Sequence, residues 1–166
     1  MNKIMSSKCL VAVDIRSAHN VGAFFRTCDG FGAELVLIGA TPRPKHISDD
    51  RLPHVAKKAH EAVAKTALGA ENTVQWHYYK TLEDAVKELK RKSYKVFAIE
   101  QTAKSLPIKS LLLKQNTAIV VGREVDGLTK EEVDLCDGAF EIPMSGSKES
   151  FNVSIAAGIA LYQINL

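Results

Sequence analysis

Five short apolar runs alternate with stretches of helical periodicity along this chain, and that alternation constrains its fold more than any other feature. The runs are Cys9–Ile15, Glu34–Ile38, Lys95–Glu100, Thr117–Val121 and Phe140–Met144. They are nearly continuous rather than alternating in polarity, the pattern of strands covered on both faces. Elsewhere Val21, Phe24, Phe25 and Cys28 recur at helical spacing, as do Leu52, Val55, Ala56 and Ala59, and again Leu82, Ala85, Val86 and Leu89. Thr129 and Glu132 have the spacing of a capping box that opens a short helix. The last helix carries Val153, Ala156, Ala157, Ala160, Leu161 and Ile164 on one side, and Ile155 and Ile159 on another. A helix apolar nearly all round is covered by more than one neighbour, and a second subunit is a natural one. These elements predict an α/β fold with a mostly parallel sheet and helices on both faces. Ligands of such sheets sit beyond the carboxyl ends of the strands.

The chain of 166 residues suits one domain, 1–166, with no internal repeat and no dividing linker. A net charge of +3 permits a nucleic-acid partner without requiring one. Basic residues cluster modestly at Arg43/Lys45, Lys57/Lys58 and Lys87/Lys90/Arg91/Lys92, each of which also reads as a solvated face. Cys9, Cys28 and Cys136 are far apart and without metal-binding spacing, so no metal is expected and reduced thiols are. The first residues lack the apolar core of a signal peptide, and the longest apolar stretch, Ile155 to Ile164, is too short to span a bilayer. A soluble, cytoplasmic protein with no membrane association is the expectation.

Three loops carry the candidate chemistry, and all fall at carboxyl ends of predicted strands. The first runs from Asp14 to Thr27 and opens a helix, with Asn20 placed as its N-cap. At ~100° per residue Arg26 projects away from the apolar stripe. Gly22 one turn before it and Gly30 one turn after leave a strip where a polymer backbone can approach. A guanidinium suits a phosphate because it donates in a rigid fork. The structural alternative is a surface arginine paired with Asp29 or Glu34.

The second loop, Val120 to Thr129, ends a buried strand at Gly122, where a ligand or another loop can come close, and then presents Glu124 and Gly127. The third, Phe140 to Ser154, leads through Pro143 and a small polar stretch to Ser150 and Asn152 at the mouth of the last helix. Neither a dinucleotide fingerprint nor a phosphate-binding P-loop occurs, which removes most nucleotide-triphosphate and hydride chemistry.

Together the loops resemble those of the TrmH-type SPOUT superfamily of RNA methyltransferases, from about Cys9 to Gln163. Asn20, Gly22 and Arg26 are similar to its first motif. Gly122, Glu124, Gly127 and Leu128 are similar to its second. Ile142, Pro143, Met144, Ser150, Asn152, Val153, Ser154 and Ala156 are similar to its third. Phe151 stands where the family usually has Leu. Lys65 to Ala70 also resembles a family stretch that packs rather than reacts.

The resemblance implies a C-terminal deep trefoil knot and a homodimer whose active sites draw on both subunits. It implies S-adenosylmethionine as methyl donor, held near Gln101, Gly122, Ile142, Met144 and Phe151. The acceptor would be a ribose 2′-hydroxyl of RNA. Arg26 of the partner subunit would be the base or would organise it, positioning phosphate and hydroxyl. Asn20 would orient Arg26 or the ribose, and Glu124 would anchor Arg26 or the RNA-facing loop. Ser150 and Asn152 would shape the donor pocket and meet the target nucleotide. No separate RNA-binding extension is expected, and tRNA is preferred as substrate, with rRNA as the alternative. A non-catalytic RNA-binding relative is a second reading. A small-molecule enzyme using Glu124 with His19 or His54 is a third.

Overall fold

The computed structural model describes residues 7–112 and 115–166. In chain order it contains β1 (Lys8–Val13), α1 (Ala18–Phe31), β2 (Glu34–Ile38), α2 (Pro53–Ala67), β3 (Trp76–Tyr79), α3 (Leu82–Arg91), β4 (Lys95–Ile99), β5 (Leu106–Pro107), β6 (Thr117–Val121), α4 (Lys130–Asp134), β7 (Gly138–Glu141) and α5 (Val153–Asn165), with short 3₁₀ turns at Ala70–Asn72 and Ile108–Ser110. The strands form one seven-stranded sheet in the order β3-β2-β1-β6-β4-β7-β5. Every pairing in it is parallel, as continuous apolar strands joined by crossover helices require.

Alternate residues of the strands other than β5 feed two cores. Leu10, Ala12, Leu35, Leu37, Ile119 and Val121 face α1, α2 and α5, where Phe24, Phe25, Val63 and Leu161 are buried with them. Val11, Val13, Val36, Val96, Ala118 and Val120 face α3, whose Leu82, Ala85, Val86 and Leu89 are all buried. The predicted stripe of α1 is buried as well, including Cys28.

Several boundaries differ from expectation. β1 stops at Val13 instead of Ile15 because Asp14 takes a left-handed conformation, φ 48°, and turns the chain out of the sheet. The last strand lies at Gly138–Glu141, two to three residues earlier than Phe140–Met144. Two edge strands were not foreseen. β3 is a half-buried Trp-His-Tyr-Tyr run without an apolar signature, and β5 has only two exposed residues. In α2 the inward residues are Ala56, Val63 and Ala67, while Val55 and the N-cap residue Leu52 are exposed. The side of α5 away from the core is bare, with Ile155 53% and Tyr162 57% exposed. Among the described residues no helix is long and apolar enough to cross a membrane.

Candidate active site

The loops after β1, β6, β4 and β7 meet at the carboxyl edge of the sheet, where β1, β6, β4 and β7 are neighbours. The loops after β6, β4 and β7 enclose a cleft of about 260 Å³. Gln101, Gly122, Glu124, Ile142, Ser150 and Phe151 line it; Met144, half-buried, lies outside the lining. Its floor is apolar, with Ile99, Val121, Val153 and Ala156, and its walls carry Glu100, Glu124, Asp126, Glu141 and Glu149 against a single guanidinium, Arg123.

A hydrogen-bonded chain ties the motifs together across more than a hundred positions of sequence. Glu124 accepts from the Arg16 and Ser17 backbone amides at 3.1 and 3.0 Å and from Asn20 Nδ2 at 3.0 Å. Asn20 Oδ1 accepts from Asn152 Nδ2 at 3.4 Å. Asn152 Oδ1 in turn caps α5 by accepting from the Ser154 amide at 2.8 Å. Asn20 is therefore not the N-cap of α1. That place belongs to Ser17, whose hydroxyl accepts from the Asn20 amide, which frees the Asn20 side chain for Glu124. Within its own chain Glu124 anchors the start of α1. Partial burial pushes its pKa up, but the Ser17, Arg16 and Asn20 donors outweigh burial and hold the carboxyl below its ordinary range.

Arg26 is exposed on α1 and does not line the cleft of its own chain. Among the described residues its guanidinium has no ion pair or hydrogen bond, so the pairing with Asp29 or Glu34 does not occur. Of the two glycines beside it, Gly30 is exposed with open space around it, but Gly22 is not part of a bare strip. Gly22 is buried under α2, and a Cβ there would stand 2.5 Å from the Val63 carbonyl oxygen and 2.8 Å from the Ala67 nitrogen. Thr66 closes the same contact by donating from Oγ1 to the His19 carbonyl, so the Lys65–Ala70 stretch does pack. At Gly122 the close partner is the chain's own loop, since a Cβ would stand 2.6 Å from the Gly127 carbonyl oxygen and the Leu128 nitrogen. Ser150 is exposed at the rim of the cleft. Gln101 donates from Nε2 to the Glu149 carbonyl at 2.8 Å, which ties the β4 loop to the loop before α5.

Two charged residues of the site, Glu100 and Arg123, escaped the sequence reading. Glu100 accepts from the Leu128 amide at 2.8 Å and the Gln101 amide at 3.0 Å. Arg123 binds Glu132 through both terminal nitrogens at 2.9 Å and also binds Asp14. Their signal was present, since each follows a strand at the carboxyl edge where an isolated charge needs a partner.

A model of the SpoU rRNA methylase family matches residues 7–162. The 23S rRNA (guanosine-2′-O-)-methyltransferase RlmB of Nitrosomonas europaea is 34% identical over 156 residues, 93% of this chain and 54% of that protein. The tRNA (guanosine(18)-2′-O)-methyltransferase of Escherichia coli is 28% identical over 150 residues, 90% of this chain and 58% of that protein. The chain thus spans little more than half the length of these curated relatives. The crystal structure of the SpoU methyltransferase AviRb from Streptomyces viridochromogenes, in complex with the cofactor AdoMet, shares the fold, with a TM-score of 0.77 at 19% identity over 93% of this chain and 55% of that one. With the family model running through all three motif loops, this chain belongs to the SpoU rRNA methylase family.

Proposed function

We propose that this chain is an S-adenosylmethionine-dependent methyltransferase that acts on a ribose 2′-hydroxyl of RNA. The observation that carries the reading is the hydrogen-bonded chain Glu124–Asn20–Asn152, which joins the three motif loops beside one cleft. The cleft suits the donor: an apolar floor for a ring and an acidic wall for a sulfonium and an ammonium group. Gln101, Gly122, Ile142 and Phe151 would hold it, with Met144 at the margin. When bound, S-adenosylmethionine supplies a methyl group already activated on sulfur. The protein's share is then to align the acceptor and to accommodate the proton that leaves the 2′-hydroxyl.

Glu124 is a poor base for that proton near neutral pH, because its three donors favour the ionised, already satisfied carboxylate. Its role is to hold the entrance of α1. A guanidinium is a planar cationic donor with no acceptor, so the role of Arg26 is to grip phosphate and hydroxyl. Since Arg26 is outside its own chain's cleft, the reading assigns it to the cleft of a second copy. The bare side of α5 supports such a homodimer: it adjoins α1, with Gly158 against Thr27 and the Tyr162 ring edge-on to Phe31. The trefoil threading is supported by the sheet order. The chain runs from β4 to β5 first, β7 later enters the gap between them, and α5 then returns to β6 and α1. Exposed His19 and His54 stand outside the cleft lining, so a small-molecule acid–base site has nothing to assemble it.

Transfer RNA is the substrate of this reading, in the cytoplasm. The relatives at 34% identity favour rRNA as the second, since their names carry it. Labelled S-adenosylmethionine offered with fractionated RNA, followed by mass identification of the nucleoside, decides. A ribose-methylated nucleoside in tRNA is the expected product. Label in rRNA keeps the chemistry and changes the substrate. Failure to bind the donor favours the non-catalytic reading, and donor binding without transfer to either RNA points to a missing partner protein or an inactive enzyme. Near-normal turnover by Arg26→Ala would remove Arg26 from the mechanism.

A further inference from the structure

The turn Arg123–Gly127 separates two clefts. On one side lies the cleft described above. On the other lies a second of about 360 Å³, lined by Arg16, Ser17, Arg123, Glu124, Val125 and Asp126. A wall between two clefts must be held from behind, because its tip is bare: Val125 is 85% exposed. Two backbone bonds, Arg123 N–H to the Gly127 carbonyl at 3.3 Å and the reverse at 3.1 Å, close the turn, and Arg123 Nη1 adds a third to the same carbonyl at 3.2 Å.

The rest of that guanidinium is spent on anchors. It binds Glu132 of α4 in a fork, and Glu132 is itself fixed by the Thr129 capping box. It also binds Asp14 Oδ2, while Asp14 Oδ1 accepts from the Ala40 amide at 2.9 Å. The next residue, Glu124, takes the Arg16 and Ser17 amides. Consecutive side chains therefore grip the β1–α1 connection at both its ends, Asp14 and Arg16–Ser17.

We infer that Arg123 is a positioning residue of the transfer reaction: it sets the 123–127 turn as the wall of the donor cleft, referenced to the start of α1. The inference rests on the function proposed above. Arginine is the residue for this place because one planar fork satisfies a bidentate carboxylate, a second carboxylate and a carbonyl together; a lysine offers a point charge without that geometry. Without it, the Asp14 and Glu132 carboxylates face each other unneutralised and the turn loses its third bond.

The test is calorimetric binding of S-adenosylmethionine to the full chain, with thermal unfolding measured alongside. Arg123→Met is expected to raise the donor Kd by about tenfold or more, the usual consequence of losing charge-assisted hydrogen bonds, and Arg123→Lys is expected to fall between it and wild type. Adding Asp14→Asn and Glu132→Gln to Arg123→Met removes the exposed repulsion. Unfolding temperature should then recover while donor affinity stays low, an outcome that a purely stabilising role does not produce. Full recovery of affinity in that triple variant would overturn the inference, as would wild-type affinity in Arg123→Met. Should Arg123→Met fail to fold, Arg123→Lys decides, with a threefold or larger rise in Kd (about 0.6 kcal/mol) supporting the assignment and an unchanged Kd refuting it. A wild-type protein that binds no donor would instead remove the proposed function, and this inference with it.

Discussion

At the scale of the residue, the site is a matter of which hydrogen bonds are already taken. Glu124 has its folded pKa below the ordinary carboxylate value, so its contribution to stability is present above about pH 4.3 and is lost as the pH falls through the folded value. The stability difference between wild type and Glu124→Gln in urea should be largest at neutral pH and should shrink below about pH 4, where the protonated acid resembles the amide. A difference independent of pH would mean that the ionised form is not what holds α1. The cysteines follow another rule. Burial pushes Cys136 up to about 12 and Cys9 and Cys28 upward as well, so thiolate is scarce. Native protein should react with a maleimide far more slowly than urea-unfolded protein, and a rapidly labelled thiol would contradict the burial. The sequence pointed to Asn20, Glu124 and Asn152 because short polar residues at strand-to-helix turns have few structural uses. It put Asn20 at the cap, since Ser17 and Asn20 are equally good caps by type and only the partner of each side chain separates them.

At the scale of the element, packing distances decide what motif glycines are for. Gly22→Ala places a methyl group against the α2 backbone at Val63 and Ala67, which cannot turn aside as a side chain can. A loss of about 1–3 kcal/mol is expected, the usual cost of overpacking, read from urea unfolding; a neutral substitution would show that α1 and α2 slide apart freely. Thr129→Ala should cost about 1 kcal/mol, because both halves of the capping box are made and Glu132 also serves Arg123. The capping box was legible because its spacing is local. The stripe of α2 was misread because a helix rich in alanine offers several nearly equal faces, and the one turned inward is chosen by the fit of Ala67 and Val63 against Gly22.

At the scale of the whole molecule, the bare side of α5 and the unpaired Arg26 lie on adjoining helices, so one association would cover the first and use the second. Ile155→Asp, at a site 53% exposed and outside both cores, should leave the fold intact, lower the solution mass to that of one chain and abolish methyl transfer. A fully active single chain would sink the shared-site reading. The sequence by itself determined the layered α/β class, the carboxyl edge as the place where the three motif loops meet, and most of the residues that gather there. Hydrophobic period and turn chemistry are properties of near neighbours along the chain, and they survive without knowledge of the rest. Only the tertiary structure decided that β7 inserts between β4 and β5, that Tyr-rich β3 is a strand at all, that Glu124 holds Arg16, Ser17 and Asn20, and that Arg123 joins Asp14 to Glu132. These are pairings between residues as much as 109 positions apart, whose partners are set by strand order and close packing rather than by any local pattern.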